Sequence, residues 1–119
     1  MNITIPISVG ELLDKISILS IKSQHTDNSY ISKEKEHLIT IAKENKVYDQ
    51  DFLNQLLEIN SKLWTIEDKL RVIEKSQDFN NHFIELARSV YITNDLRSSI
   101  KKEINEKYNS NYREIKVHK

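Results

Sequence analysis

Apolar residues in the second half of the chain recur at alternating intervals of four and three positions. This coiled-coil-like pattern predicts a helix over about 50–76 and, after a short connection, a helix over about 79–107 with Asp78 as its N-cap. Because the connection is so short, the two helices must be antiparallel neighbours. In one register the numbers of all facing positions add up to 156: Phe52–Ile104, Leu56–Ile100, Ile59–Arg97, Leu63–Thr93, Ile66–Val90, Leu70–Leu86 and Ile73–Phe83.

A capping box predicts the start of an earlier helix. The Ser8 hydroxyl is placed to accept a bond from the Glu11 amide, and the Glu11 carboxylate to reach back to Ser8, so the helix should run from Val9 to about Gln24. Its apolar residues fall on two sides, which indicates that the helix is covered on two sides. The side formed by Leu12, Ile16 and Leu19 is expected to fill the groove along the long hairpin.

The rest of the chain predicts a weaker helix and two short strands. Leu38, Ile41 and Ala42 indicate a helix over about 32–46. Residues 2–7 and 113–117 alternate apolar and polar side chains, so each is expected to be a strand, with the two paired to each other or, alternatively, to a second copy in a dimer. The predicted fold is a mainly α, small helical bundle built on a long antiparallel hairpin, with residues 1–119 forming a single domain.

Composition and charge exclude several classes of function. The 119 residues contain 18 Lys and Arg against 18 Asp and Glu, and this zero net charge gives no general attraction to nucleic acids or acidic membranes. The absence of cysteine excludes disulfides, thiolate metal sites and cysteine nucleophiles. Without a long apolar run or a signal-peptide pattern, we expect a cytoplasmic protein that binds neither membranes nor nucleic acids.

Polar residues at core positions are the first candidates for a site. Arg97 occupies a core position of the hairpin, with Asn60 and Asn94 at nearly the same level. A buried arginine needs a counter-charge, for which Asp14 and Asp95 are the candidates. One interpretation is a structural ion pair that sets the helix register. The other is an anion pocket in which Arg97, Asn60 and Asn94 hold a phosphate or carboxylate.

An aromatic pair is the second candidate. Trp64 and Tyr91 are expected at one level of the groove, with Glu67 and Arg88 about one turn away. Such a set suits a sugar or base ring, although core packing and an interhelical ion pair are the more ordinary interpretation. The predicted binding residues are therefore Asp14, Asn60, Trp64, Arg88, Tyr91, Asn94, Asp95 and Arg97. No motif indicates catalytic residues, a metal site or a cofactor.

Three stretches of the chain carry a resemblance: residues 7–19, 63–68 and 83–95. Through them the chain resembles a family of small uncharacterised bacterial and phage proteins, over nearly its whole length. Members of that family look like companions of glycosyltransferases in surface-polysaccharide gene sets. The family pattern includes the polar residues Asp14, Trp64, Glu67, Asp68, Arg88, Asn94, Asp95 and Arg97.

Two hypotheses for the function follow. The first is a non-enzymatic helical interaction or accessory module, a homodimer that binds a partner protein such as a glycosyltransferase. It rests on the length of the hairpin, because helices of about 27 residues span roughly 40 Å and should extend beyond the shorter helices. The alternative is a small all-α enzyme or binding protein for a phosphorylated sugar or nucleotide-sugar, so whether the chain is an enzyme stays open.

Overall fold

The computed structural model describes residues 1–115 and 117 and is mainly α, as predicted. It contains four helices: α1 (Val9–His25), α2 (Ser29–Glu44), α3 (Gln50–Ser76) and α4 (Asn81–Lys107). The long hairpin has almost the predicted bounds, but Asp78 is not the N-cap of α4. That position belongs to Asn80, whose side chain accepts a bond from the Phe83 amide.

The predicted terminal strands are wrong for the part of the chain that is described. Residues 2–7, 113–115 and 117 form no strand, and position 116, within the second predicted strand, lies outside the described residues. The two segments do meet, since Pro6 and Ile7 line a shallow depression together with Tyr112 and Arg113. An isolated two-stranded ribbon is at best marginally stable in water, which explains why contact between the two segments does not produce a sheet.

Helix α1 is the centre of the bundle. It packs against α2, α3 and α4, whereas α2 packs only against α1 among the described helices. As predicted, α1 packs in the groove along the hairpin. It forms hydrogen bonds to the hairpin through Gly10, Asp14 and Ser17, whereas helical spacing places Leu12 and Leu19 towards the other side of α1. The main cluster of buried apolar residues consists of Leu12, Leu13, Ile16, Ala42, Leu53, Leu56 and Ile104.

The only glycine of the chain serves packing and not a turn. Helices α2, α3 and α4 are followed by Lys46, Gln77 and Asn109, which take the left-handed backbone conformation that glycine usually supplies. Gly10 lies where α1 touches α4: a Cβ atom there would stand 2.9 Å from the Lys101 carbonyl oxygen and 3.0 Å from Asn105 Oδ1. The absence of a side chain at Gly10 therefore sets how closely the two helices approach.

Far from the core, the hairpin extends on its own. The last buried residue of α3 is Leu63 and the first of α4 is Thr93, so no residue from 64 to 92 is buried. We call residues 64–92 the projecting segment. The radius of gyration is 16.1 Å, whereas a compact chain of this length has about 13.5 Å. The predicted extension of the hairpin beyond the shorter helices is confirmed.

At the opposite end of the hairpin, Asp49 joins α3 to the end of α4. Its carboxylate caps α3 through the Phe52 amide (3.1 Å) and accepts bonds from Lys107 Nζ (2.8 Å) and the Tyr108 hydroxyl (2.6 Å). Burial alone would raise the pKa of Asp49, but these bonds outweigh it and lower the pKa from 3.8 to about 2. The numbers of Asp49 and Lys107 also add up to 156, which agrees with the predicted register.

We expect Asp49→Asn to destabilise the protein by about 1–2 kcal/mol near pH 7, and hardly at all near pH 2. Asparagine still caps the helix, but it loses the charged bonds to Lys107 and Tyr108. Because the folded-state pKa lies below the unfolded one, the contribution of Asp49 is complete above about pH 4 and disappears as the pH falls towards 2. Urea denaturation of both proteins at the two pH values measures this.

The matched control is Asp51→Asn, which changes an exposed carboxylate in the first turn of the same helix. It should cost at most about 0.5 kcal/mol at either pH. An equal loss of stability for the two variants, or a loss for Asp49→Asn that persists near pH 2, would contradict the stabilising role of the ionised Asp49 carboxylate.

Candidate functional site

Three of the predicted site residues, from three different helices, meet in one polar layer. Asp14 of α1 is only 2% exposed and lies between Asn60 of α3 and Arg97 of α4. Asp14 Oδ1 accepts bonds from Asn60 Nδ2 and from Arg97 Nε, both at 2.9 Å, and Asp14 Oδ2 accepts from Arg97 Nη2. The Asn60 amide also donates to Ser17 Oγ at 2.8 Å. The layer therefore ties α1 to both helices of the hairpin.

The electrostatics of this layer are those of a completed ion pair. The bidentate hydrogen bond with Asp14 raises the pKa of Arg97 above its ordinary value. No buried side-chain nitrogen or oxygen atom in the described residues lacks a hydrogen-bond partner. A ligand anion at Arg97 would have to displace the Asp14 carboxylate, and that carboxylate would then be left buried without its counter-charge. The geometry thus favours the structural interpretation of Arg97, while an anion site there stays a prediction.

A second polar cluster lies next to the first and was not predicted from the sequence. Lys101 Nζ pairs with the carboxylate of Glu11 and, at 3.1 Å, with Glu114. Although burial by itself lowers the pKa of Lys101, these hydrogen bonds more than compensate and raise it. The capping box is accordingly only half formed: Ser8 accepts a bond from the Glu11 amide as predicted, but the Glu11 carboxylate turns to Lys101.

The first turn of α1 receives two more caps from distant parts of the chain. Asn105 Oδ1 accepts a bond from the Gly10 amide at 2.7 Å, and Ser110 Oγ accepts from the Val9 amide at 3.2 Å. Asn105 is 2% exposed. These contacts join residues about a hundred positions apart, so no local sequence signal could have found them. The one signal in the sequence was the position of the single glycine, Gly10, next to Glu11 of the predicted capping box.

The other predicted site residues lie apart from this layer. Trp64 does not pair with Tyr91 as expected, because its ring stacks on His25 at the end of α1 with 4.5 Å between ring centroids. Asn94 is half-buried about one turn before Arg97, and Arg88 is exposed on the projecting segment. Tyr91, which is exposed, and Asp95 line a separate groove beside α4.

This groove is an open space of about 900 Å³ between α4 and the residues that follow it. Its wall carries hydroxyl groups, charges of both signs and the Tyr91 ring, from Tyr91, Asp95, Ser98, Ser99, Lys102 and Arg113. Glu114 holds the far wall in place through its ion pair with Lys101. Cations and carboxylates are mixed in this groove, so its charges do not select an anion.

Two features are absent from the described residues: a cluster of metal-binding side chains and a membrane-spanning helix. No three His, Asp or Glu side chains in residues 1–115 and 117 gather closely enough to hold a metal ion. None of the four described helices combines the length and the apolar character that crossing a membrane requires.

Comparison with known protein families gives a match over nearly the whole chain. Residues 3–118 match a family described as a family of unknown function, DUF6165. Neither the curated proteins nor the solved structures contain a match to this chain.

Proposed function

We propose that this chain, which belongs to the DUF6165 family of unknown function, is a non-enzymatic helical interaction module. The projecting segment is the observation that carries this proposal. A helical hairpin that leaves the body of the protein without burying any residue contributes little to the stability of the fold. Its length is explained if it presents a surface to another protein.

The surface of the projecting segment supports this role. Several large apolar side chains on the segment or at its edge are at least 45% exposed: Val72, Phe79, Ile84, Tyr91, Ile92 and Leu96. Their spacing along α4 places Ile84 and Tyr91 on the side where α1 packs, and Ile92 and Leu96 towards the opposite side. Exposed apolar surface on a small protein is typical of protein contact sites.

The partner we propose is a glycosyltransferase of a surface-polysaccharide gene set, met in the cytoplasm. The resemblance described above supports this choice, and the mixed polar and apolar surface suits a protein partner better than a charged polymer. In this proposal the module docks on the enzyme through the side of α4 that carries Ile92 and Leu96, and it takes no part in the chemistry of the enzyme.

We expect the purified protein to form a complex with the glycosyltransferase of its own gene set, and Leu96→Glu to weaken that complex by at least about tenfold. A charge at an exposed apolar contact must be desolvated on binding, which costs more than about 1.4 kcal/mol. Light scattering after gel filtration, together with biolayer interferometry, measures the complex and its dissociation constant.

Thr40→Glu on α2 is the matched control, because it places the same charge on an exposed helix away from the projecting segment. It should leave binding unchanged, and both variants should keep the wild-type melting temperature. The absence of a complex at tens of micromolar, or equal binding by Leu96→Glu and Thr40→Glu, would count against the proposal.

The alternative, a binding protein or enzyme for a phosphorylated sugar or nucleotide-sugar, has weaker support. Arg97, the residue expected to hold phosphate, has two of its nitrogen atoms bound to Asp14. Trp64 and Tyr91, expected to stack a ring together, lie against different parts of the fold.

A further inference from the structure

The groove that α1 fills continues beyond the end of α1. Asn60 and Trp64 mark the side of α3 that faces α1, since Asn60 binds Asp14 and Trp64 stacks on His25, the last residue of that helix. Helical spacing places Glu67 and Arg71 on the same side, one and two turns further on. Glu67 and Arg71 are exposed, and α1 is the only described helix that packs against the hairpin, so no described helix covers this part of the groove.

The uncovered part, which we call the distal groove, has a charged edge on α3, an apolar edge on α4 and an apolar floor. Glu67 and Arg71 form its α3 edge, and Ile84 and Ala87 form its α4 edge. Between the edges lie the half-buried side chains of the hairpin seam: Ile66, Leu70, Phe83, Leu86 and Val90. A cover on this side would complete their burial.

We propose that the distal groove of a second copy of this chain provides that cover, so that two projecting segments pack face to face and antiparallel. This inference rests on the proposed function and names one partner of the module. The first argument is charge. Glu67 and Arg71 lie four positions apart on one side of α3, so a two-fold axis level with position 69 brings Glu67 of each copy opposite Arg71 of the other.

The second argument is shape. In the register whose facing positions add up to 156, position 69 of α3 is level with Ala87 of α4. The smallest side chain of the α4 edge thus lies on the same axis, where the two copies approach most closely. Moreover, the distal groove extends from Trp64 to the end of α3 at Ser76, and its midpoint is at position 70. Charge, small side chain and groove centre all indicate one axis.

The third argument is fit. The distal groove is about 20 Å long and two helices, roughly 20 Å, wide, so pairing covers about 400 Å² on each copy and about 800 Å² in total. That area is at the lower limit for specific complexes, and we therefore expect a dimer with a dissociation constant in the micromolar range. The zero net charge of the chain does not oppose self-association.

The test is sedimentation equilibrium of the full chain from about 5 to about 200 µM. We expect a monomer–dimer equilibrium in the wild type. Arg71→Glu or Glu67→Arg should each raise the dissociation constant at least about tenfold, since each places like charges opposite one another across the axis. The double variant Glu67→Arg/Arg71→Glu restores opposite charges and should return the dissociation constant to within about threefold of wild type.

Lys69→Glu is the matched control, because it changes the net charge by the same amount as Arg71→Glu. Lys69 is level with the two-fold axis but lies on the side of α3 that is turned away from the distal groove. It should dimerise like wild type. A wild-type monomer at the highest concentration, or a double variant no better than the single ones, would overturn the inference. Binding to the glycosyltransferase that depends on Leu96 in a monomeric protein would leave the proposed function intact, so the two failures are distinguishable.

Discussion

Arg97→Met is expected to lower the free energy of unfolding by about 3 kcal/mol. The methionine fills the volume of the arginine stem but leaves the Asp14 carboxylate, which is 2% exposed, without its bidentate counter-charge. Asn60 keeps its single bond to Asp14, and that bond cannot compensate a buried charge. Urea denaturation followed by circular dichroism gives the loss directly.

A double variant separates the ion pair from simple packing. Asp14→Leu/Arg97→Met removes both charges and should recover most of the lost stability, because an apolar pair of similar size replaces a buried ion pair at little net cost. Arg88→Met is the control, since Arg88 is an exposed arginine on the same helix, and it should change stability by no more than about 0.5 kcal/mol. If Arg97→Met were as mild as Arg88→Met, the ion pair would have no structural role.

Gly10→Ala is expected to cost about 2 kcal/mol, although alanine normally stabilises a helix by about 1 kcal/mol relative to glycine. The new methyl group would meet the Lys101 carbonyl oxygen at 2.9 Å, and a backbone atom of α4 cannot move aside as a flexible side chain does. Separating the helices would also stretch the bond from the Gly10 amide to Asn105. The melting temperature and urea midpoint should both fall.

Lys15→Ala provides the comparison for this substitution, because Lys15 is an exposed residue of the same helix whose ion pair with Glu34 is solvent-exposed. It should stay within about 0.5 kcal/mol of wild type. A neutral or stabilising Gly10→Ala would show that α1 and α4 do not approach as closely as described.

Much of the fold could be predicted from the sequence because its signals are local. The apolar residues that recur at intervals of four and three positions predicted the long hairpin, and Ser8 predicted the start of α1. Both signals depend on contacts within a few helical turns. The extension of the hairpin also followed from length alone. The site was harder to predict: Arg97 was recognisable as a residue that needs a partner, and of the predicted set Asp14 binds Arg97 and Asn60 binds Asp14.

The sequence by itself determined which segments are helices, that Ser8 caps the first of them and that a charged residue in the hairpin must be compensated. Only the tertiary structure decided which of the candidate carboxylates binds Arg97, namely that of Asp14. It also decided that Lys101 takes the Glu11 carboxylate from the capping box, and that Gly10 sets how closely α1 approaches α4. The physical reason is the distance along the sequence between the residues that interact. Periodicity and caps depend on neighbours along the chain, whereas these contacts join residues some eighty to one hundred positions apart, whose meeting depends on how every helix packs.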